Sequence, residues 1–466
     1  MSVFERGVPF TAAVVLGLLL RALALPLPGT GDVTTWKIWS YGAITNRVST
    51  LYGVGGSPPE RRMISLDGAE TTVDYPPLTL YELGLAGRAY RWANNGRYPN
   101  TLALLVTVKA TAVIADLGLA LLLYFFIRHL IGEATARWVV ALYMLNPAVL
   151  LDAAALGYLD PLFVLPAVGA LVAAVLGASA LAGALACATV LTKPQAVVIL
   201  PAIALAVWNL DARVARSARL VAACAGAGVV AAGLIGPVIA AGGWANMVQT
   251  MERLTHHDML SGNACNLWWI VGYVLRAYYS IGGMGVWGAF TAQTRILQIS
   301  RVVEIGYPNP RPIGAALAVV AMGWSLWTAR RARDVWLLAA LAAFLVHAYS
   351  TLSAQVHENH LYAAVPLLAV ASAGRPRLTP VYLAVSAIVA LNLNLFYGIS
   401  EETGYAIPRS LLVIDMTVIL SVLNCAALAW HAALLRRECA LSEPALGDAL
   451  TRAGYDEPGL ARESWP

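Results

Sequence analysis

The chain has 466 residues, 59% of them hydrophobic and only 12% charged, with a mean hydropathy of +0.68. A soluble domain carries roughly 25% charged residues to cover its surface, so soluble, disordered and disulfide-scaffold classes are excluded and an all-α, polytopic membrane protein is expected. The balance of 31 basic against 26 acidic residues, a net charge of +5, speaks against a nucleic-acid partner.

A membrane span takes about 20 apolar residues. Twelve spans are expected, at 9–28, 101–127, 138–152, 160–177, 179–192, 195–209, 220–241, 312–329, 335–351, 361–373, 379–397 and 410–434. The first has a signal-peptide-like start but runs straight into a Gly-Asp motif and is read as a retained span. Five arginine groups fix the orientation. They are Arg128 and Arg137; Arg213, Arg216 and Arg219; Arg330, Arg331 and Arg333; Arg375 and Arg377; and Arg436 and Arg437. With a cytoplasmic N-terminus all five fall on the cytoplasmic side. A crossing by the apolar segment 267–290 would reverse the later groups. Its Trp and Tyr content suits a helix lying at the outer interface or dipping in instead.

The expected organisation is a membrane domain over 1–435, capped by two outer loops at 29–100 and 242–311, and a mobile cytoplasmic tail over 436–466. Only Lys37, Lys109 and Lys193 are lysines. That bias toward arginine, with abundant alanine, points to a high-GC bacterium and its plasma membrane. The five cysteines show no CxxC spacing and read as buried small hydrophobes. Neither internal repeat nor half-to-half symmetry is evident.

In chain order, Gly31-Asp32 opens a short helix on which Trp36 and Trp39, at i and i+3, share a face suited to the interface. Asp32 alone would read as a helix cap. Asp74-Tyr75-Pro76-Pro77-Leu78-Thr79-Leu80-Tyr81 is a proline-stiffened turn offering tyrosine hydroxyls and rings to a sugar. Lys109 and Asp116 are expected to pair on one helix face. Asp160, after Gly157-Tyr158-Leu159, opens a span from outside, again as a cap would. Lys193-Pro194-Gln195 joins two spans of about fifteen residues, short against the usual 20, so the turn is expected below the outer surface, where a buried ammonium requires an anionic partner. His357-Glu358-Asn359-His360 lacks the i, i+4 histidine spacing of a zinc helix. Asn263, Asn266, Trp268 and Trp269 add amides and indoles to the second outer loop, with interface anchoring as the simpler role.

Asp32, Asp74, Asp160, Lys193 and His357 come from five places and share one outer face under a topology set by arginines alone. A carboxylate there can deprotonate an acceptor hydroxyl, and a lysine and histidine can hold a phosphate leaving group. That division suits inverting glycosyl transfer, whose transition state is shared with glycoside hydrolysis. Nucleotide sugars are absent outside the cell, so the donor arrives on a lipid.

DYPPLTLY (74–81) resembles the DYPPLTAY element of the dolichyl-phosphate-glucose-dependent glucosyltransferases of asparagine-linked glycosylation, and HENHLY (357–362) is similar to their HEKSIL element. Gly31-Asp32 matches their first-loop Gly-Asp and LTKPQ their Lys-Gln turn. NPAVLLDAAALGYLDPLF (146–163) is similar to the Asn-Pro…Gly-Gln-x-Asp stretch of bacterial relatives, with Tyr158 in place of Gln. The resemblance implies the GT-C fold with about twelve spans (11 to 13), a long first outer loop and a polyprenyl-phosphate-sugar donor. By matching, Asp32 takes the catalytic-base position, His357 and Lys193 the donor-phosphate side, and Asp74 and Tyr75 the acceptor or sugar pocket. His360 is grouped with the phosphate side, and Tyr81, Trp36, Asp160, Glu358 and Asn266 with the substrate pocket. A hexose, mannose or glucose, is expected to pass to a lipid-linked or glycolipid acceptor among the membrane lipids. No cofactor is implied, and a divalent cation is left open. The rival readings are a lipid-oligosaccharide flippase or transporter, which should line a path with cations and show near-symmetric halves, and an O-antigen-ligase or oligosaccharyltransferase type of enzyme with a lipid-diphosphate donor.

Overall fold

A computed structural model describes residues 10–55, 57–210, 214–254, 256–280, 294–411 and 414–452, and these are mostly helical. Helix α1 (Phe10–Ala24) leads into the loop 29–100, which holds α2 (Asp32–Thr45), a hairpin of β1 (Ile64–Leu66) against β2 (Ala69–Thr71), and α3 (Pro77–Ala93). Next come α4 (Leu102–Leu130) and α5 (Glu133–Met144). Asn146-Pro147 then breaks the rod by 48° into α6 (Pro147–Val149) and a π-helical stretch, Leu150–Leu156. Asn146 caps the restart by accepting from the Ala148 N–H at 2.9 Å. Helices α7 (Asp160–Val175) and α8 (Ser179–Thr192) follow, then a 3₁₀ turn, Pro194–Ile199, that runs into α9 (Leu200–Asn209) and α10 (Arg216–Ala240).

The second outer loop carries α11 (Trp244–Leu254), α12 (Leu267–Tyr279) and α13 (Ile299–Glu304). The bundle closes with α14 (Pro310–Ala329), α15 (Val335–Leu352), α16 (Ala364–Gly374), α17 (Thr379–Tyr397), a small hairpin of β3 (Ser410–Leu411) and β4 (Ile414–Asp415), and α18 (Met416–Arg452).

All twelve expected spans overlap helices, but by length and composition only six described helices can cross a bilayer, or seven if the bent α5–α6 rod counts as one. The others, including α1, α8, α9 and α16, are shorter, and several abut the site described below. The chain is an integral membrane protein on those six helices; a count of twelve crossings does not follow from them. Helix α15 is the central pillar, buried nearly throughout, whereas α10 is exposed along almost its whole length.

Small residues hold α10 in place. A Cβ on Gly183 would lie 1.8 Å from the Ala223 carbonyl oxygen and one on Gly226 1.9 Å from that of Ala180, so α8 and α10 touch backbone to backbone, the contact that small residues permit between membrane helices. Gly183→Val is expected to cost about 1–3 kcal/mol by overpacking, read as a lower unfolding midpoint in detergent. Gly228→Val, which meets nothing within 4 Å, should leave the midpoint unchanged.

The expected Lys109–Asp116 pair does not form. Seven residues of helix separate the two by about 10.5 Å along the axis, and each meets a different neighbour. Asp116 takes the Arg21 guanidinium of α1 at 2.5 Å and the Tyr143 hydroxyl of α5 at 2.7 Å. Lys109 donates to the carbonyls of Ala24, Leu27 and Ala155 at 3.3, 2.8 and 2.9 Å, closing the ends of α1 and of the π-helical stretch.

The polar groups gather at two opposite ends of the helices. At one end Arg375 bonds Asp334 at 2.6 Å and Glu438 at 3.2 Å, and Asn209 bonds the Arg330 carbonyl at 3.1 Å. Helix α15 carries the chain from Asp334 toward His357 over 18 residues, about 27 Å. Arg330 and Arg375 therefore sit at the end away from the candidate site; Arg213 lies outside the described residues.

One expectation is corrected. The tail from 436 begins as the last turns of α18, which runs to Arg452, with Glu438 and Ser442 binding Arg375; residues 453–466 lie outside the described residues. The segment 267–290, expected to lie at the outer interface or dip in, opens as α12 with Trp268 and Trp269 buried, their indoles donating to the Leu352 carbonyl and the Thr417 hydroxyl. Buried polar partners on α15 and α18 draw these rings inward; 281–290 lie outside the described residues.

Candidate active site

The site is built on the shortened helices. Helix α8 ends at Thr192 and leaves Lys193 extended before the 3₁₀ turn that runs into α9. Its ammonium is buried and lies 2.8 Å from the Asp160 carboxylate at the first turn of α7. The second Asp160 oxygen accepts from the Asn359 amide at 2.8 Å. The rings of Phe163 and Tyr75 flank the same ammonium at 5.8 and 6.0 Å, in cation–π range. The anionic partner required for Lys193 is therefore Asp160, and Asp160 is an ion-pair member and no helix cap. Asp152, in the π-helical stretch, is also fully buried, and neither of its carboxylate oxygens has a hydrogen-bond partner.

Above this floor stands α2. Its cap residue is Gly31, whose N–H donates to Glu401 at 3.0 Å, and Asp32 is the first helical residue with no capping bond. Gly29 sets the entry. Its φ is +83°, and a Cβ there would lie 2.7 Å from the Leu156 carbonyl oxygen, so only glycine turns the chain this close to the π-helical stretch. Trp36 and Trp39 are buried, contrary to the interfacial position expected, and both rings lie 5.3 Å from the Tyr75 ring. The Trp36 indole donates to the Gly157 carbonyl at 3.1 Å. Polar backbone acceptors and an aromatic partner hold these rings inside the outer layer. Tyr81 packs against the same outer-loop core, a turn away from the site.

Asp32 is exposed, and the charges it feels include Glu358, Lys193, His357 and Asp160. Burial of its surroundings, then the nearby Glu358, raises its carboxyl above the ordinary range. Asp74 is pushed up to about 7, by burial first and by Asp32 second. A carboxyl raised on folding contributes stability that is present below its unfolded value and lost as pH rises through the folded one. For Asp74 that loss falls between about pH 4, the unfolded value, and about 7. Asp74→Asn is expected to flatten the fall in unfolding midpoint across that interval. An unchanged slope would place the proton elsewhere.

The remaining wall is the loop after α15. The Tyr158 hydroxyl donates to Glu358 at 2.5 Å, and Asn263 bonds the Tyr397 hydroxyl at 3.1 Å beside it. His357 is partly exposed and its Nδ1 lies 3.9 Å from Glu358. Burial holds the His357 imidazole below its ordinary value, offset in part by Asp32, and His360 is lowered more strongly by burial. The His360 ring stacks on Tyr349 at 6.0 Å, and its Nδ1 is buried without a partner.

Asp32, Asp74, Tyr75, Trp36, Asp160, Lys193, His357, Glu358 and His360 thus come together. Asn266 lines a small cavity together with His357 and Glu358, and its side chain is committed to backbone partners. Its carbonyl oxygen accepts the Trp268 and Trp269 N–H groups at 3.0 and 3.1 Å, and its amide donates to the Ser350 carbonyl at 3.2 Å. It is the cap of α12, a role readable from the Asn one residue before an apolar run. Sequence reasoning missed Tyr158 as the partner of Glu358, Asn359 as that of Asp160, and His257, whose ring meets His357 at 5.6 Å. Among the described residues no group of three or more His, Cys, Asp or Glu is placed to hold a metal ion.

No family model matches the chain, and no curated protein does. Among solved structures it is similar to the oligosaccharyltransferase of Archaeoglobus fulgidus, in a crystal structure tethered to an acceptor peptide containing the NVT sequon, at 11% identity and a TM-score of 0.40. The match covers 94% of this chain and 56% of the archaeal one, a little over half of that protein's length.

Proposed function

We propose that the protein is an inverting glycosyltransferase of the GT-C type. It moves a hexose from a polyprenyl-phosphate donor to a lipid-linked or glycolipid acceptor on the non-cytoplasmic face. The observation that carries this reading is an exposed Asp32 in electrostatic range of His357, Glu358, Lys193 and Asp160, where Asp160 and Lys193 already neutralise one another. The DYPPLTLY and HENHLY elements, both at this site, support it.

In the transfer the Asp32 carboxylate takes the acceptor hydroxyl proton. The acceptor oxygen bonds the anomeric carbon while the bond from that carbon to the phosphate oxygen breaks, its electron pair leaving with the phosphate. The donor phosphodiester carries one negative charge and the departing polyprenyl monophosphate two, so the proton gained by Asp32 balances the charge gained by the leaving group. Partners that strengthen as this charge develops accelerate the step. The aromatic wall of Trp36 and Tyr75 offers apolar faces to a sugar ring.

The test is a donor screen with purified protein, offering polyprenyl-phosphate mannose, glucose and arabinose with a total lipid extract as acceptor. Transfer from a hexosyl donor with inversion at the anomeric carbon is expected. No transfer from any monophosphate donor, with turnover of a lipid-diphosphate oligosaccharide, would replace the reading.

A further inference from the structure

The second outer loop is stitched to the His357 segment. The Gln355 N–H donates to the Leu260 carbonyl at 3.1 Å, Gly262 N–H to Val356 at 2.8 Å, and Glu358 N–H to Gly262 at 3.1 Å. The Gln355 amide also bonds the His257 carbonyl. Gly262 and Asn263 both form β-bridges to His357. A Cβ on Gly262 would come 2.9 Å from His357 Nδ1, so the two strands are pressed against the imidazole they carry. The stitch presents His257, half-buried, edge-on to His357 with ring centres 5.6 Å apart at 89°. The His360 ring also lies 5.6 Å from that of His357. Behind His257, Arg311 of α14 donates to the carbonyls of residues 256 and 257 at 3.4 and 3.2 Å.

We infer that His257 and His357 together form an anion clamp that holds the phosphate of the lipid donor and of the departing lipid monophosphate, with His257 supplied by the second outer loop. This rests on the function proposed above. Two imidazoles from separate segments, neither ring committed to a carboxylate at hydrogen-bond distance, offer N–H donors to one group of non-bridging oxygens. Lys193, which the sequence assigns to the phosphate, is already held by Asp160. His257 thereby takes over contact with the anion, and Lys193 becomes a buried counter-charge.

The test measures binding of farnesyl phosphate, with farnesol as the uncharged control, to the full chain in nanodiscs. The wild type is expected to prefer the phosphate. His257→Ala should weaken farnesyl phosphate about 10-fold, as loss of a hydrogen bond to a charged group implies, without moving farnesol. His257→Gln, which keeps an N–H donor, should recover part of the loss. The double variant with His357→Ala should lose less than the two single losses added, as members of one site do. Phosphate affinity unchanged in His257→Ala would overturn the clamp while leaving the glycosyltransferase reading intact. A wild type that does not distinguish phosphate from alcohol would overturn that reading and the clamp with it.

Discussion

Asp32→Asn is expected to abolish sugar transfer, lowering turnover by about 10²–10⁴-fold, the range general-base catalysis supplies, while farnesyl phosphate still binds. The assignment rests on the state of the other carboxyls at the site. Asp160 is buried and paired to Lys193 and Asn359. Glu358 is buried and takes the Tyr158 hydroxyl, and Asp152 is fully buried. Asp74 sits behind Asp32 and holds its proton to about pH 7. Asp32 alone of the five is exposed. Asparagine keeps its shape and removes its capacity to take a proton, so turnover at the wild-type rate with intact folding would strip Asp32 of the role.

Lys193→Met is expected to be the most destabilising single change at the site. It leaves the Asp160 carboxylate buried without a cation, and removing one partner of a buried ion pair costs about 3–5 kcal/mol. The measurement is the unfolding midpoint in detergent together with the yield of folded protein. The double variant Asp160→Asn with Lys193→Met removes both charges and should recover most of the loss. The double variant also separates two roles for the lysine. As a counter-charge it leaves farnesyl phosphate affinity near wild type once Asp160 is neutral; as a direct phosphate ligand it does not. A folded Lys193→Met with an unchanged midpoint would remove the pair from the stability argument.

Much of the fold was legible because apolar runs and their lengths are local properties. Each expected span overlaps a helix, although 138–152 is broken at Asn146 and 410–434 opens in a hairpin, and the shortness of the helices around Lys193 follows from counting residues between Gly177 and Leu210. Pairings between helices were not legible. Asp116 chose Arg21 over Lys109 because of how α1, α4 and α5 dock, and nothing in the spacing records that. The gathering of Asp32, Asp74, Lys193 and His357 followed from sidedness alone. His257 carried no signal of its own: its place depends on a few backbone hydrogen bonds between loops 90 or more residues apart in the chain. The indoles of Trp36 and Trp39 were misplaced for a related reason. An aromatic residue at the end of a span looks the same in sequence whether it faces lipid headgroups or a packed outer layer.

The Arg21–Asp116 pair bears on how the chain is made. Arg21 stands in the last turn of α1, buried in an apolar setting where an unpaired charge is costly, and its counter-ion lies 95 residues further along the chain. During synthesis α1 emerges from the ribosome before the aspartate that neutralises its arginine. The docking of α1 therefore waits for α4 to arrive, which couples the burial of one helix to the folding of another.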